Sequence, residues 1–145
     1  SISDDMSTSG NVMHMAAAEL EAEDRFHVIN SANLSTGIGL LVVEAAIMAK
    51  NNRTASQIVS EIEKLKPNVR ASFVVDTLTY LYRGGRCNAV AAMAGGVLKL
   101  HPRIVVEDGA MNASKKYRGK IASVVMNYVK DMEKDLKKRD LNAYL

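Results

Sequence analysis

The chain has 145 residues and a mass of 15.8 kDa, and its 48% hydrophobic and 24% charged residues exclude a disordered chain. A net charge of +3, no Trp, two Phe and five Tyr argue against a base-stacking nucleic-acid platform, so we predict no nucleic-acid partner. With one Cys, and with no apolar run near the ~20 residues of a membrane span, we predict a cytoplasmic protein with no integral membrane association.

The first half of the chain alternates short strand candidates with helical periodicity. Glu44 and Lys50 are the main polar positions of an otherwise apolar helix, and Thr54 is placed to cap the helix after it. We predict strands at Ser1–Ser3, Phe26–Asn30 and Arg70–Val75, and helices at Asn11–Glu23, Gly37–Lys50 and Ala55–Lys66, the last ended by Pro67. This order predicts a parallel sheet flanked by helices, the first α/β lobe.

After Val75 the pattern changes to that of part of a second α/β lobe. Asp76 or Thr77 is placed to cap a short helix, and Asp108-Gly109 is a strong hairpin turn signal. We predict helices at Leu78–Arg83, Asn88–Leu98 and Tyr117–Arg139, and a β-hairpin of Arg103–Glu107 and Ala110–Ser114.

Two loops place hydroxyl side chains and glycine where a helix begins. The first is Ser7-Thr8-Ser9-Gly10-Asn11, and the second is Asn33–Gly39 with Ser35 inside it. Helix N-terminal N–H groups and hydroxyl donors together favour an anion, and both loops follow predicted strands, where ligands bind in such sheets. The alternative is that these hydroxyls only cap the helices.

Other candidates for chemistry are few. Arg86 follows Gly84-Gly85 and is either a carboxylate or phosphate ligand or an ordinary surface residue. The eight Met fill either an adaptable apolar pocket or the core, and the basic stretch Lys115–Lys120 suits a phosphate or an acidic partner. The three His lack metal-ligand spacing, so we predict no metal site, and the sequence shows no catalytic pair.

Several blocks resemble the DegV family in order and spacing. The most specific is Phe73–Arg86 with its Gly-Gly-Arg end, and the loop Ser7–Asn11 resembles the family's Ser-Gly-Thr loop. Further similar blocks are Val28–Ser31 followed by Ser35 and Gly37, then Leu98–Ile104, Glu107–Gly109 and Lys116–Gly119.

This resemblance implies a bacterial fatty-acid-binding carrier, not an enzyme. Family members hold one long-chain fatty acid between two α/β lobes, and some present its carboxylate to a fatty acid kinase subunit for phospholipid synthesis. The resemblance assigns residues 1–87 to part of the N-terminal lobe and residues 88–145 to part of the C-terminal lobe, with no cofactor besides the bound fatty acid. It implies ligand-binding roles for Ser9, Gly10, Asn11, Ser31, Ser35 and Arg86, and partner-facing roles for Arg86, Lys116 and Arg118.

The alternative function is a small-molecule phosphotransferase or hydrolase that uses the same Ser/Gly loops. Such an enzyme needs a base or covalent nucleophile near Ser9, and the sequence shows none.

The chain also departs from the family pattern. Asn11 stands where Thr is usual, Asn30 where Asp is usual, and His101 where Lys is common. Family members are nearly twice as long, so the chain resembles their central portion only. We therefore expect Ser1–Ser3 to be the end of a longer strand and part of the head-group site to lie outside this sequence.

Overall fold

The computed structural model describes residues 1–86 and 100–137 and has a mixed α/β fold, which confirms the predicted fold class. The predicted helix at Asn88–Leu98 lies outside the described residues. The helices are α1 Ser9–Glu19, α2 Ser35–Lys50, α3 Ala55–Leu65, α4 Thr79–Gly84 and α5 Ile121–Lys137, with a 3-10 turn at Lys66–Asn68; the strands are β1 Ser72–Val74, β2 Leu100–Glu107 and β3 Ala110–Arg118.

Helix α3 begins where the local sequence signal places it. The Thr54 N–H donates to Gln57 Oε1 at 3.0 Å, and the Gln57 N–H donates to Thr54 Oγ1 at 3.3 Å, which together form a capping box. Pro67 falls in the 3-10 turn that follows the helix, and Ile62 is buried at 2% exposure.

The three strands form an antiparallel sheet in the order β1-β2-β3. Asp108 and Gly109 join β2 to β3 with φ values of +51° and +81°, the left-handed pair that a tight hairpin requires. The predicted hairpin is confirmed, and both of its strands are longer than the sequence indicated. Gly109 is required by space as well, because a Cβ there would lie 2.7 Å from Ser3 Oγ.

The regular sheet is therefore not the parallel sheet that the sequence predicted. Within residues 1–86 and 100–137, parallel pairing is limited to a few bonds of the first residues: the Ser1 nitrogen donates to Ile29 O at 2.7 Å, and the Ser31 N–H donates to Ser1 O at 3.2 Å. The predicted strand Phe26–Asn30 is irregular backbone in the structure. These bonds are too few to form a regular ladder, since the 29–33 segment soon turns at Ala32, where φ is +50°.

Helix ends also differ from the predicted bounds for identifiable reasons. Helix α1 ends at Glu19 because Glu21 adopts φ +49° and the Ala22 N–H donates to Ala17 O, which is a Schellman motif. Helix α5 begins at Ile121 and not at Tyr117, because β3 continues to Arg118 and Gly119 then takes a φ of +121°.

The chain forms two compact units, each made of two separate stretches of sequence. The first consists of Ser1–Ser72 and Val105–Asn112, and the second of Phe73–Ile104 and Ala113–Leu145. Buried apolar residues of the first unit include Met6, Ala17, Ala22, Leu41, Ile62, Val105 and Val106. Those of the second unit include Ile104, Tyr117 and Val124.

Candidate functional site

The two hydroxyl-bearing loops leave from neighbouring segments of the first compact unit. Besides the bonds of Ser1, the Ser3 N–H donates to Asn33 O at 2.9 Å, so residues 1–3 run beside residues 29–33 in the same direction. Each segment then leads into a helix, α1 from Ser9 and α2 from Ser35. Ser9 and Ser35, both predicted ligand residues, therefore stand at the starts of helices that follow adjacent segments.

The first loop is shaped around Gly10. Gly10 is buried, and a Cβ at this position would lie 2.6 Å from Asp4 Oδ1 and 3.1 Å from Ser1 Oγ, so a larger residue would require these side chains to shift. Ser9 is half-buried, and its N–H donates to Ser7 Oγ at 3.2 Å. Asn11 is exposed on the first turn of α1. The loop thus combines a hydroxyl group with the electropositive end of an 11-residue helix.

Asn33 organises the second loop, and the sequence analysis did not single it out. Its side chain is buried: Oδ1 accepts from the Leu34 N–H at 2.9 Å, and Nδ2 donates to Val69 O at 3.1 Å. The same side chain lies directly against Gly37, where a Cβ would collide with it. The only local signal was an Asn two residues before a Ser-Thr-Gly helix start, since its partner Val69 is 36 residues away.

The predicted residues of the second loop occupy different environments. Ser31 is buried, and its hydroxyl donates to Asn33 O and accepts from the Asn33 N–H, both at 3.1 Å. Ser35 is exposed at the first position of α2 with φ +49°, a strained conformation for a residue with a side chain. Asn30 Oδ1 accepts from the Ala32 N–H at 2.8 Å.

The predicted partner-facing residues all belong to the second compact unit. Arg86 is exposed, and its Nη1 donates to Gly84 O at 2.7 Å. Gly85 ends α4 with φ +65°, which explains why a glycine precedes this arginine. Lys116 and Arg118 are exposed on β3. The other predicted ligand residues lie in the first unit.

A polar network joins α5 to the hairpin within the second unit. Asp131 accepts from Lys115 Nζ at 2.6 Å and from the Tyr117 hydroxyl at 2.8 Å, while Arg103 pairs with Asp135 at 3.1 Å. Burial, followed by the bond to Asp131, raises the pKa of Tyr117 to about 12. The hydrogen bonds from Lys115 and Tyr117 lower the pKa of Asp131.

Within residues 1–86 and 100–137, no group of three or more His, Cys, Asp or Glu side chains is arranged to hold a metal ion. Over those same ranges, no helix has the length and apolar character needed to cross a membrane.

A family model and two curated relatives that match this chain carry the same family name. A family model described as "Uncharacterised protein, DegV family" matches residues 1–142. A DegV domain-containing protein of Caldanaerobacter subterraneus subsp. tengcongensis is 33% identical over 127 residues, which cover 86% of this chain and 45% of the relative. A Clostridium acetobutylicum relative of the same description is 35% identical over 132 residues, which cover 89% of this chain and 47% of the relative. The chain thus spans slightly less than half the length of these curated relatives.

Solved structures similar to this chain include fatty-acid-binding proteins. A DegV family protein from Thermus thermophilus, described by its fatty acid binding, has a TM-score of 0.68 and 29% identity over 81% of this chain and 41% of its own. DegV of Bacillus subtilis, a fatty acid binding protein, has a TM-score of 0.71 and 27% identity over 94% of this chain and 48% of its own. A stearic-acid-binding protein of Eubacterium ventriosum has a TM-score of 0.70 and 26% identity over 92% of this chain and 49% of its own.

Proposed function

This chain belongs to the DegV family, and from that premise we propose that it binds a long-chain fatty acid and acts as a carrier, not as a catalyst. The observation that carries the proposal is its structural likeness to fatty-acid-binding proteins, two of them described as DegV proteins, at 26% to 29% identity. The paired Ser/Gly loops of the first unit add support, because hydroxyl and N–H donors at helix starts suit a single carboxylate.

Apolar side chains on the surface of the first unit support the same proposal. Val12, Met13 and Met15 of α1 are exposed, as are Leu40, Val42, Val43 and Ile47 of α2. A helix that is apolar on nearly all of its faces is typically buried against other groups on several sides. A fatty acid needs both an apolar wall and a few polar donors, and the first unit carries both types of surface.

Removing the Ser9 hydroxyl tests the carboxylate site. We expect Ser9→Ala to weaken oleate binding by about 1–3 kcal/mol, because a buried carboxylate then loses one donor. Isothermal titration with oleate measures the effect, and Ser56→Ala on the exposed side of α3 is the matched control that should bind as the parent does. The proposal fails if the purified protein carries no acyl chain by mass spectrometry and binds neither oleate nor palmitate.

We further propose that the cytoplasmic carrier presents the acyl carboxylate to a fatty acid kinase subunit for phospholipid synthesis, using Arg86, Lys116 and Arg118. The exposure of Lys116 and Arg118 on β3 supports this, because exposed cations favour an acidic partner surface. The double variant Lys116→Glu, Arg118→Glu should lower kinase-dependent acyl phosphate formation at least about tenfold at low salt. Lys50→Glu, a charge reversal on exposed α2, is the control.

Oleate affinity should stay unchanged in that double variant. A loss of oleate affinity equal to the loss of phosphorylation would contradict a partner-facing role. Turnover of ATP or acyl phosphate by this chain alone would instead favour the phosphotransferase or hydrolase alternative.

A further inference from the structure

Strand β3 lies at one edge of the three-stranded sheet. Within residues 1–86 and 100–137, the sheet order β1-β2-β3 gives this strand β2 as its paired neighbour on one side. The strand is continuous over nine residues, and its Ser114, Lys116 and Arg118 are exposed. A long edge strand presents a row of backbone N–H and C=O groups with which another strand can pair. The backbone of β3 is therefore a candidate interaction surface.

The hairpin register shows which residues of β3 bond to β2. A two-residue turn makes Glu107 and Ala110 the closing pair, and every second residue beyond them then exchanges bonds across the hairpin. This register places Ser114 opposite Arg103, and the Ser114 hydroxyl accordingly donates to Arg103 O at 3.1 Å. The even-numbered residues of β3 are thus the ones that bond to β2.

The odd-numbered residues of β3 direct their backbone groups away from β2. The alternation continues across the sheet, since the Val106 N–H of β2 donates at 2.9 Å to Ala71 O, just before β1. At the middle of β3, the N–H and C=O groups of Ala113 and Lys115 point outward, and together they form the outer edge. The Lys115 side chain contacts Asp131 on α5 at 2.6 Å.

Charge is distributed unevenly along this hairpin. Glu107 and Asp108 are exposed carboxylates at the turn, and the first half of β3, Ala110–Ser114, carries no charged side chain. Exposed cations follow toward and just beyond the other end of β3: Lys115, Lys116, Arg118 and Lys120. The strand therefore runs from an acidic end to a basic end, and such a pattern is complementary to its own reverse.

We propose that the outer edge of β3 pairs antiparallel with the same edge of a second copy of this chain, with Ser114 opposite Ser114 of the second copy. Ala113 and Lys115 of each copy then exchange backbone hydrogen bonds with Lys115 and Ala113 of the other. Antiparallel pairing places the basic end of one strand beside the acidic turn of the other. This self-association goes beyond the proposed function and does not depend on fatty acid binding.

The lysines of β3 restrict this pairing to few registers. Lysine on an edge strand usually opposes unspecific association, and a register centred one residue later would place Lys115 opposite itself. The register centred on Ser114 instead sets cations against the uncharged half of the strand. At the opposite side of the sheet β1 has three residues, which is short for a second edge, so the pairing closes as a dimer.

Sedimentation equilibrium of the full chain, combined with amide hydrogen exchange, tests the pairing. As protein concentration rises to about 1 mM, we expect the mass to rise from 15.8 kDa toward twice that value. Protection of the Ala113 and Lys115 amides should rise in parallel, whereas the Asn112 and Ser114 amides, which bond to β2, should be protected throughout. A constant mass of 15.8 kDa, or a dimer without protection of Ala113 and Lys115, would overturn the proposal.

A proline substitution separates this edge from other surfaces. Ala113→Pro removes an outward N–H and leaves the bonds to β2, so this variant should stay monomeric with its Ser114 amide still protected. Ala113→Ser keeps the N–H and should associate as the parent does. Undiminished association of Ala113→Pro would contradict the proposal. Loss of the dimer in Val43→Asn alone would assign the interface to the exposed apolar side of α2.

A charge substitution keeps the proposal testable if Ala113→Pro does not fold. Asp108→Asn preserves the turn, because Asn-Gly suits the same left-handed pair, and it removes a carboxylate from the acidic end. The dimer dissociation constant should rise at least about threefold at low salt. Glu44→Gln, which removes an exposed carboxylate of α2, is the control and should leave the constant unchanged. Equal constants for Asp108→Asn and the parent would contradict the antiparallel register.

Discussion

At the scale of single residues, Tyr117 links the packing of the second compact unit to pH. Its ring is buried in β3, and its hydroxyl donates to Asp131 on α5. Ionised tyrosine cannot donate this bond and would be buried beside a carboxylate, which is why the pKa of Tyr117 rises to about 12. A group whose pKa is raised by folding stabilises the protein below its unfolded pKa and loses that contribution as pH rises.

We predict a loss of stability between pH 10 and about 12 that depends on Tyr117. Tyr117→Phe should flatten this alkaline decline in urea denaturation and lower the free energy of unfolding at pH 7, because the bond to Asp131 is absent. Tyr80→Phe, at a position 75% exposed, should leave the decline unchanged. An alkaline decline of equal size in Tyr117→Phe would contradict the assignment.

At acid pH, the stability contributed by Asp131 changes with pH in the opposite direction. Lys115 and Tyr117 lower the pKa of Asp131, so its contribution is complete above the ordinary carboxyl range and is lost as pH falls through the lowered value. The stability contributed by this network is therefore largest at neutral pH.

Single residues of the candidate site differ in how far the sequence alone predicts their role. Ser9 and Gly10 were predicted as ligand residues because a hydroxyl group and a glycine at a helix start are a pattern of neighbouring residues that favours an anion. Asn33 was not, because its role depends on Val69, which only folding brings beside it. The ligand-binding and partner-facing roles stay predictions.

At the scale of elements, the start of α3 depends on two reciprocal bonds. Thr54→Ala removes Oγ1 and should destabilise the protein by about 1 kcal/mol, because the Gln57 N–H loses its acceptor. Urea denaturation at pH 7 measures the loss. Ser60→Ala, an exposed interior position of the same helix, should be neutral or slightly stabilising. Equal losses in the two variants would mean that the capping box contributes nothing.

Elements with local signals were predicted well. The helix cap at Thr54 and the Asp108-Gly109 turn both need only neighbouring residues, and both stand where the sequence placed them. The end of α1 was not predicted, because Glu21 takes a left-handed conformation that usually belongs to glycine. The strand at Phe26–Asn30 was wrong because a strand requires a partner ladder, which local periodicity does not supply.

At the scale of the whole molecule, the β2–β3 hairpin belongs to both compact units. Residues 105–112 are part of the first, and residues 100–104 and 113–118 are part of the second. Loss of structure in one unit therefore removes support from strands that continue into the other. We expect the two units to unfold in one cooperative step.

Amide hydrogen exchange tests this cooperativity. Ile62→Ala in α3 should cost about 2–5 kcal/mol and should lower the protection of α5 amides as much as that of α3 amides. Ser60→Ala, two residues away and exposed, is the control and should leave both sets unchanged. Undiminished protection of α5 in Ile62→Ala would show that the units unfold independently.

The same hairpin limits how this protein can be recombined with its relatives. The chain passes from one unit to the other after Ser72, after Ile104 and after Asn112. A chimera made with a single crossover would therefore unite parts of different parental cores. To exchange the first unit intact, a donor relative must supply residues 1–72 and the hairpin tip 105–112 together, so the first unit of this chain cannot be exchanged as one continuous segment.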